Sequence, residues 1–147
     1  MDKVKKLPDG LLIMGDSICR LDPVFGQGMS KAILEALALK ELLHGPNQSF
    51  RKIITQFYKQ SAKIISPIWN MVITEDFRYR ETMGKKPIGL SFQQWYAKNI
   101  FILSSKNQEI YDSFIRVMNL ISPASILMKP KILRSVFLRS IYKSKNQ

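Results

Sequence analysis

A chain of 147 residues with 23 basic and 11 acidic side chains, a net charge of +12 and 46% hydrophobic residues has the size and apolar content of one folded domain, and a disordered, collagen-like or linker-type polypeptide is excluded. One cysteine, Cys19, rules out an internal disulfide framework, and with His44 the lone histidine no metal site and no Cys–His catalytic pair is expected, because zinc takes several nitrogen or sulfur ligands. No apolar run approaches the ~20 residues of a membrane span, and the charged stretch Met1 to Gly10 has no signal-peptide core, so the expected setting is cytoplasmic.

In chain order, the turn signal Pro8-Asp9-Gly10 precedes an apolar run, Leu11-Leu12-Ile13-Met14, closed by Gly15. This spacing predicts a short buried strand. Residues 15–27 read as a loop. A helix is predicted from about Gly28 to Leu43, with Met29, Ala32, Ile33, Ala36, Leu37 and Leu43 on its apolar face and Gly45-Pro46 as its stop. Asn47 or Ser49 caps a second helix whose apolar face is Ile53, Ile54, Phe57, Tyr58, Ile64 and Ile65. Pro67 is expected to kink or end it, with Ile68 to Thr74 continuing beyond. Arg80 to Pro87 is an exposed loop, and further helices are expected over Gln93 to Leu103, Gln108 to Leu120 and Ile132 to Tyr142.

The fold expected is therefore mainly α, one short strand plus helices, divided into residues 1–46 and 47–147. A lone strand is a difficulty. Its backbone donors and acceptors need partners, so the strand is expected to pair with something outside this chain.

Charge is uneven along the sequence. Residues 1–75 carry 10 basic and 7 acidic side chains, and residues 76–147 carry 13 and 4. From Lys129 onward stand Lys129, Lys131, Arg134, Arg139, Lys143 and Lys145 with no acid. Ile132, Val136, Phe137 and Ile141 alternate with these charges, as in a basic amphipathic helix that lies on an anionic membrane surface. A basic helical membrane-surface module is thus one functional reading. Nucleic acid is not expected as a partner, since the basic residues are not interleaved with an aromatic recognition motif.

The segment richest in chemistry is Gly15-Asp16, six residues, then Pro23-Val24-Phe25-Gly26-Gln27-Gly28-Met29, running into a helix. Asp16 offers a carboxylate to ligand hydroxyls, Pro23 stiffens the loop, and Gly26 and Gly28 permit φ > 0 and close ligand approach. The helix beginning near Gly28 points unpaired N–H groups and a partial positive charge at the loop, which suits an electron-rich ligand group. It is not a dinucleotide fingerprint: Lys31 stands where the third glycine belongs, and the apolar run does not feed directly into the turn.

These residues resemble the second flavin-binding motif of the FAD-dependent monooxygenases, the aromatic-hydroxylase-like flavoproteins. The likeness rests on Gly15-Asp16-Ser17-Ile18-Cys19, Pro23 to Met29, Ala32 and Glu35-Ala36-Leu37-Ala38-Leu39. Thr74 to Tyr79, Trp95-Tyr96 and Pro130 are more weakly similar to a bacterial subgroup. The resemblance implies FAD as cofactor. Gly15, at the end of the predicted strand, would let the backbone pass close to the cofactor, and Asp16 would accept a hydrogen bond from a ribityl hydroxyl. Pro23 would lie beside the flavin ring, and Gly26, Gln27, Gly28 and Met29 would wrap its pyrimidine edge.

It also implies that the chain is the C-terminal part of an oxidoreductase, inactive alone. The first 46 residues would be the last segment of an α/β FAD-binding domain, and the rest a helical C-terminal extension. Ser17 and Cys19 depart from the usual alanine and histidine. The Gly-x-Gly-x-x-Gly unit of the family is absent from the sequence, so a missing N-terminal FAD/NAD(P)-binding segment of roughly 200 residues is the expected partner, and the predicted strand would join its sheet.

Overall fold

A computed structural model of the chain describes residue 8 and residues 10–45 and 49–144, with side chains through residue 141. The expected boundary at 46/47, the Asn47 cap, Asp9 and Lys145 lie outside these. The protein is mainly helical. Five helices follow one another among the described residues: α1 (Gly28–His44), α2 (Phe50–Asp76), α3 (Leu90–Ser104), α4 (Gln108–Met118) and α5 (Pro130–Ser144). Short 3-10 turns lie at Gly15–Ser17, Pro23–Phe25 and Ala124–Met128. Two compact units form, Met1–Val72 and Ile73–Gln147.

The predicted strand is not formed. Residues 11–14 carry no strand pairing among the described residues, although Met14 is extended at φ −150° and ψ 175°. A β-ladder needs a second strand, and here the Ile13 N–H donates instead to the Tyr58 hydroxyl of α2 at 3.1 Å. Apolar residues in an extended backbone are the local half of a strand; the partner is the other half.

Helix α1 is built from strong helix formers, Ala, Leu, Lys and Glu. Its orientation reverses the expected one. Met29, Ile33, Leu37 and Leu43 are exposed, whereas Lys31 and Glu35 are buried. The physical reason lies in the preceding loop, whose backbone groups take the two polar side chains as partners.

Helix α2 runs unbroken through Pro67. Ile53, Phe57, Ser61, Ile68 and Val72 are buried in an inward stripe, and Pro67 is exposed on another side. The ring removes one backbone donor and leaves the Lys63 carbonyl without its helical partner, a cost that the buried residues on either side of the proline offset.

In the second unit, α3 packs on α4 and α5, and the Ala124–Met128 turn packs on α4 and α5. Tyr96, Ile100, Ile110, Ile132 and Val136 form the core, with Trp95, Leu103, Phe114, Leu127 and Leu133 against it. The Asn107 side chain caps α4 by accepting from the Ile110 N–H at 3.1 Å. Thr74 and Gln93 are joined side chain to side chain at 2.9 Å, Gln94 Nε2 donates to the Thr74 carbonyl at 2.7 Å, and Arg78 pairs with Glu75. The stretch Thr74 to Tyr79 thus fastens the end of α2 to the start of α3. Two residues of the expected amphipathic face of α5, Ile132 and Val136, are core rather than surface; Phe137 and Ile141 remain exposed.

Candidate functional site

The Gly15–Met29 segment is a double-turn loop closed onto the first two turns of α1. Gly15 has φ 62° and starts the first 3-10 turn. Its carbonyl accepts from the Ile18 and Cys19 N–H groups, each at 3.2 Å. The second turn starts at Pro23, whose fixed φ suits that position, and is capped by Asp22 Oδ1, which accepts from the Val24 N–H at 3.0 Å. Gly26 ends it at φ 65°, its N–H bonded to the Pro23 carbonyl at 3.0 Å. A left-handed residue there costs an L side chain roughly 1–2 kcal/mol, which explains the glycine. Gln27 is buried, and its carbonyl accepts from the Lys31 N–H at 2.9 Å to open the helix.

Two α1 side chains one turn apart hold the first part of the loop. Lys31 and Glu35 are both 0% exposed. The Lys31 ammonium donates to the Gly15 carbonyl at 2.9 Å and to the Cys19 carbonyl, and lies 3.9 Å from Asp16 Oδ1. Glu35 Oε2 accepts from the Gly15 N–H at 2.7 Å. Gly15 is therefore gripped at both its donor and its acceptor by α1. Glu35 Oε1 is buried with no hydrogen-bond partner among the described residues. A buried charge is retained only when polar groups surround it, and the loop backbone supplies that surrounding for Lys31.

What the loop presents outward differs. The Asp16 side chain is 70% exposed. Pro23, Val24 and Gly26 are exposed, and Met29 is 80% exposed. A Cβ built on Gly15, Gly26 or Gly28 meets nothing within 4 Å. The Gln27 side chain does not cap the N-terminus of α1, and first-turn N–H groups have no intrahelical acceptor.

Of the seven residues expected at the site, Gly15 and Asp16 are thus linked to α1 through Lys31 and Glu35, and Gly26, Gln27, Gly28 and Met29 form the entry to that same helix. Pro23 sits on the turn between them. Lys31 and Glu35 are not among the residues expected at the site, although Glu35 belongs to the stretch that carries the resemblance. Their signal was a pair of charges four apart on a helix directly after a glycine-rich loop, a spacing that reads equally well as a solvated face.

Cys19 is a free thiol, half-buried. His44, the last residue of α1, bonds the Lys40 carbonyl through Nδ1 at 2.8 Å, as a cation-capable side chain at a helix C-terminus does. No cluster of three or more His, Cys, Asp or Glu that could hold a metal occurs among the described residues. Among those residues, no helix is long and apolar enough to cross a membrane.

No family model matches the sequence. The chain is similar to Protein Rv3254 of Mycobacterium tuberculosis, with 27% identity over 101 residues that make up 64% of this chain and 21% of the relative. The chain therefore spans about a fifth of that relative's length.

Proposed function

We propose that this chain supplies the flavin-ring side of an FAD site in an oxidoreductase of the monooxygenase type, and that it is inactive without a further segment carrying the ADP side. One observation carries the reading. The Gly15–Met29 loop is fixed from behind by Lys31 and Glu35, yet in front it leaves a carboxylate, three glycines facing open space and a helix N-terminus that the Gln27 side chain does not cap.

This donor set fits the group. Asp16 accepts from a ribityl hydroxyl. The N–H groups of Gly28 and Met29, at the positive end of a 17-residue helix, favour negative charge on the pyrimidine edge. The glycines leave room for a flat ring against backbone, and Pro23 walls the loop beside it. FAD, when bound, supplies the electron-transfer chemistry; the protein orients it and sets its electrostatics. Lys31 adds a fixed positive charge behind the loop, and its grip on Gly15 and Cys19 keeps Asp16 in place. The much greater length of the matched relative accords with a segment that works as part of a larger enzyme.

The test is gel filtration of the purified chain after mixing with FAD. The flavin is expected to elute free of protein. Stoichiometric flavin absorbance on the protein peak would refute the incomplete-site reading.

A further inference from the structure

We propose that the second unit docks on an anionic lipid surface through the loop between α2 and α3 and the adjoining aromatic strip of α3 and α5. This inference does not rest on the flavin reading.

The loop spans residues 77–89. Within it Met83 is 94% exposed and Ile88 97% exposed, and Tyr79 is also exposed. Between the two aliphatic side chains stand Lys85 and Lys86, both exposed, and Arg80 is exposed as well. An apolar side chain held wholly in water gains nothing from folding, and a lysine pair between two of them is the arrangement of an interfacial anchor: aliphatic groups enter the headgroup boundary while ammonium groups meet phosphates.

The loop is presented from a fixed base rather than left loose. Arg78 is paired with Glu75 and donates to the Gln94 carbonyl at 3.3 Å, Thr82 Oγ1 donates to the Asp76 carbonyl at 2.6 Å, and the Leu90 N–H bonds the Pro87 carbonyl at 3.3 Å.

Further exposed apolar side chains stand on α3 and α5. Phe92, four residues after Ile88, is exposed and lies against Trp95, with ring centroids 5.6 Å apart. Trp95 in turn lies 5.7 Å from Phe137 of α5. Phe137, Leu138 and Ile141 are exposed, with Arg134 beside them one turn earlier.

Charge complementarity selects the occupant. Residues 76–147 carry 13 basic and 4 acidic side chains, and one of those acids, Glu109, is paired with Lys131. Glu81 is the acid within the loop, against Arg80, Lys85 and Lys86. An apolar strip flanked by unopposed ammonium groups matches the anionic leaflet surface.

The experiment is co-sedimentation of the full chain with vesicles of phosphatidylcholine alone and of phosphatidylcholine mixed with phosphatidylserine, with circular dichroism as the check on folding. Two variants are compared, Lys85→Gln/Lys86→Gln and Met83→Ser/Ile88→Ser, all at exposed positions. The parent is expected to bind the mixed vesicles and not the neutral ones. The lysine variant is expected to weaken that binding roughly 30-fold, and the aliphatic variant about tenfold or more. Equal binding to both vesicles, binding to neither, or parental binding by both variants would overturn the proposal. So would a concentration-dependent dimer in light scattering that Met83→Ser/Ile88→Ser abolishes, which would assign the face to a second copy of the chain.

Discussion

Lys31 donates to the carbonyl of Gly15 at 2.9 Å from a side chain wholly out of solvent, sixteen residues along the chain and on a different element. The contact ties the loop to the helix that follows it, and its removal takes a donor from the Cys19 carbonyl and from the Gly15 carbonyl, which keeps the Ile18 and Cys19 N–H groups.

Replacement of Lys31 by Met keeps the length of the side chain and deletes the donor. Loss of charge-assisted hydrogen bonds to these half-buried carbonyls is expected to cost about 1–3 kcal/mol. Asp16→Asn breaks only a long contact to a carboxylate that is mostly in water, where pairs contribute about 0–1 kcal/mol. Urea unfolding followed by circular dichroism should therefore rank Lys31→Met well below Asp16→Asn in stability.

Gly26→Ala and Gly28→Ala separate backbone strain from ligand space. Neither added methyl meets an atom within 4 Å. Gly26 sits at φ 65°, so alanine there is expected to cost about 1 kcal/mol. Gly28 opens a helix, where alanine is the better residue, and Gly28→Ala is expected to be neutral or slightly stabilising. In a flavin-loaded complex the ranking changes, because both methyl groups project into the open space that the ring would occupy.

The reversed α1 gives a third expectation. Leu37 is exposed, and Leu37→Gln is expected to change stability by less than about 0.5 kcal/mol. Phe57, fully buried on α2, is expected to cost about 3–5 kcal/mol when cut to Ala. Thermal melts of the two variants distinguish this arrangement from one with the apolar face of α1 turned inward.

Tyr96 sets a pH dependence. It is buried, its hydroxyl donates to the Leu127 carbonyl at 2.6 Å, and desolvation raises its pKa above the ordinary value. The folded protein therefore holds the phenol proton more tightly than the unfolded chain does. Its contribution is full below the ordinary tyrosine value of about 10 and is lost as pH rises through the higher folded-state value. Tyr96→Phe should cost about 1 kcal/mol at neutral pH and flatten the alkaline fall in stability, measured by denaturant midpoints across that range.

The helices were legible in the sequence because their apolar spacing and their stops are local. α3, α4 and α5 fall within a few residues of expectation. The sequence places Pro67 at a kink or an end of α2 with helix continuing over Ile68 to Thr74, and α2 does continue past the proline, with buried residues on both sides of it. Leu11 to Met14 has the composition of a strand, but a ladder is a property of two segments, and no second one occurs among the described residues. The inward face of α1 was illegible for the same reason: whether Lys31 and Glu35 face water depends on backbone groups of Gly15 and Cys19, which local periodicity does not register. Of the two glycines expected to permit left-handed backbone, Gly26 has it and Gly28 does not, because Gly28 is already the first residue of α1; Gly15 is left-handed without having been expected to be.

The central claim concerns what the Gly15–Met29 loop holds, and a transplant tests it most directly. Residues 10–43 replace the equivalent second flavin segment of an FAD-dependent monooxygenase, and flavin absorbance is measured on the purified, folded chimera. Bound flavin that is lost on Asp16→Ala and Gly26→Ala is the predicted result. A folded chimera that carries no flavin, or one whose flavin is indifferent to both substitutions, would contradict the account.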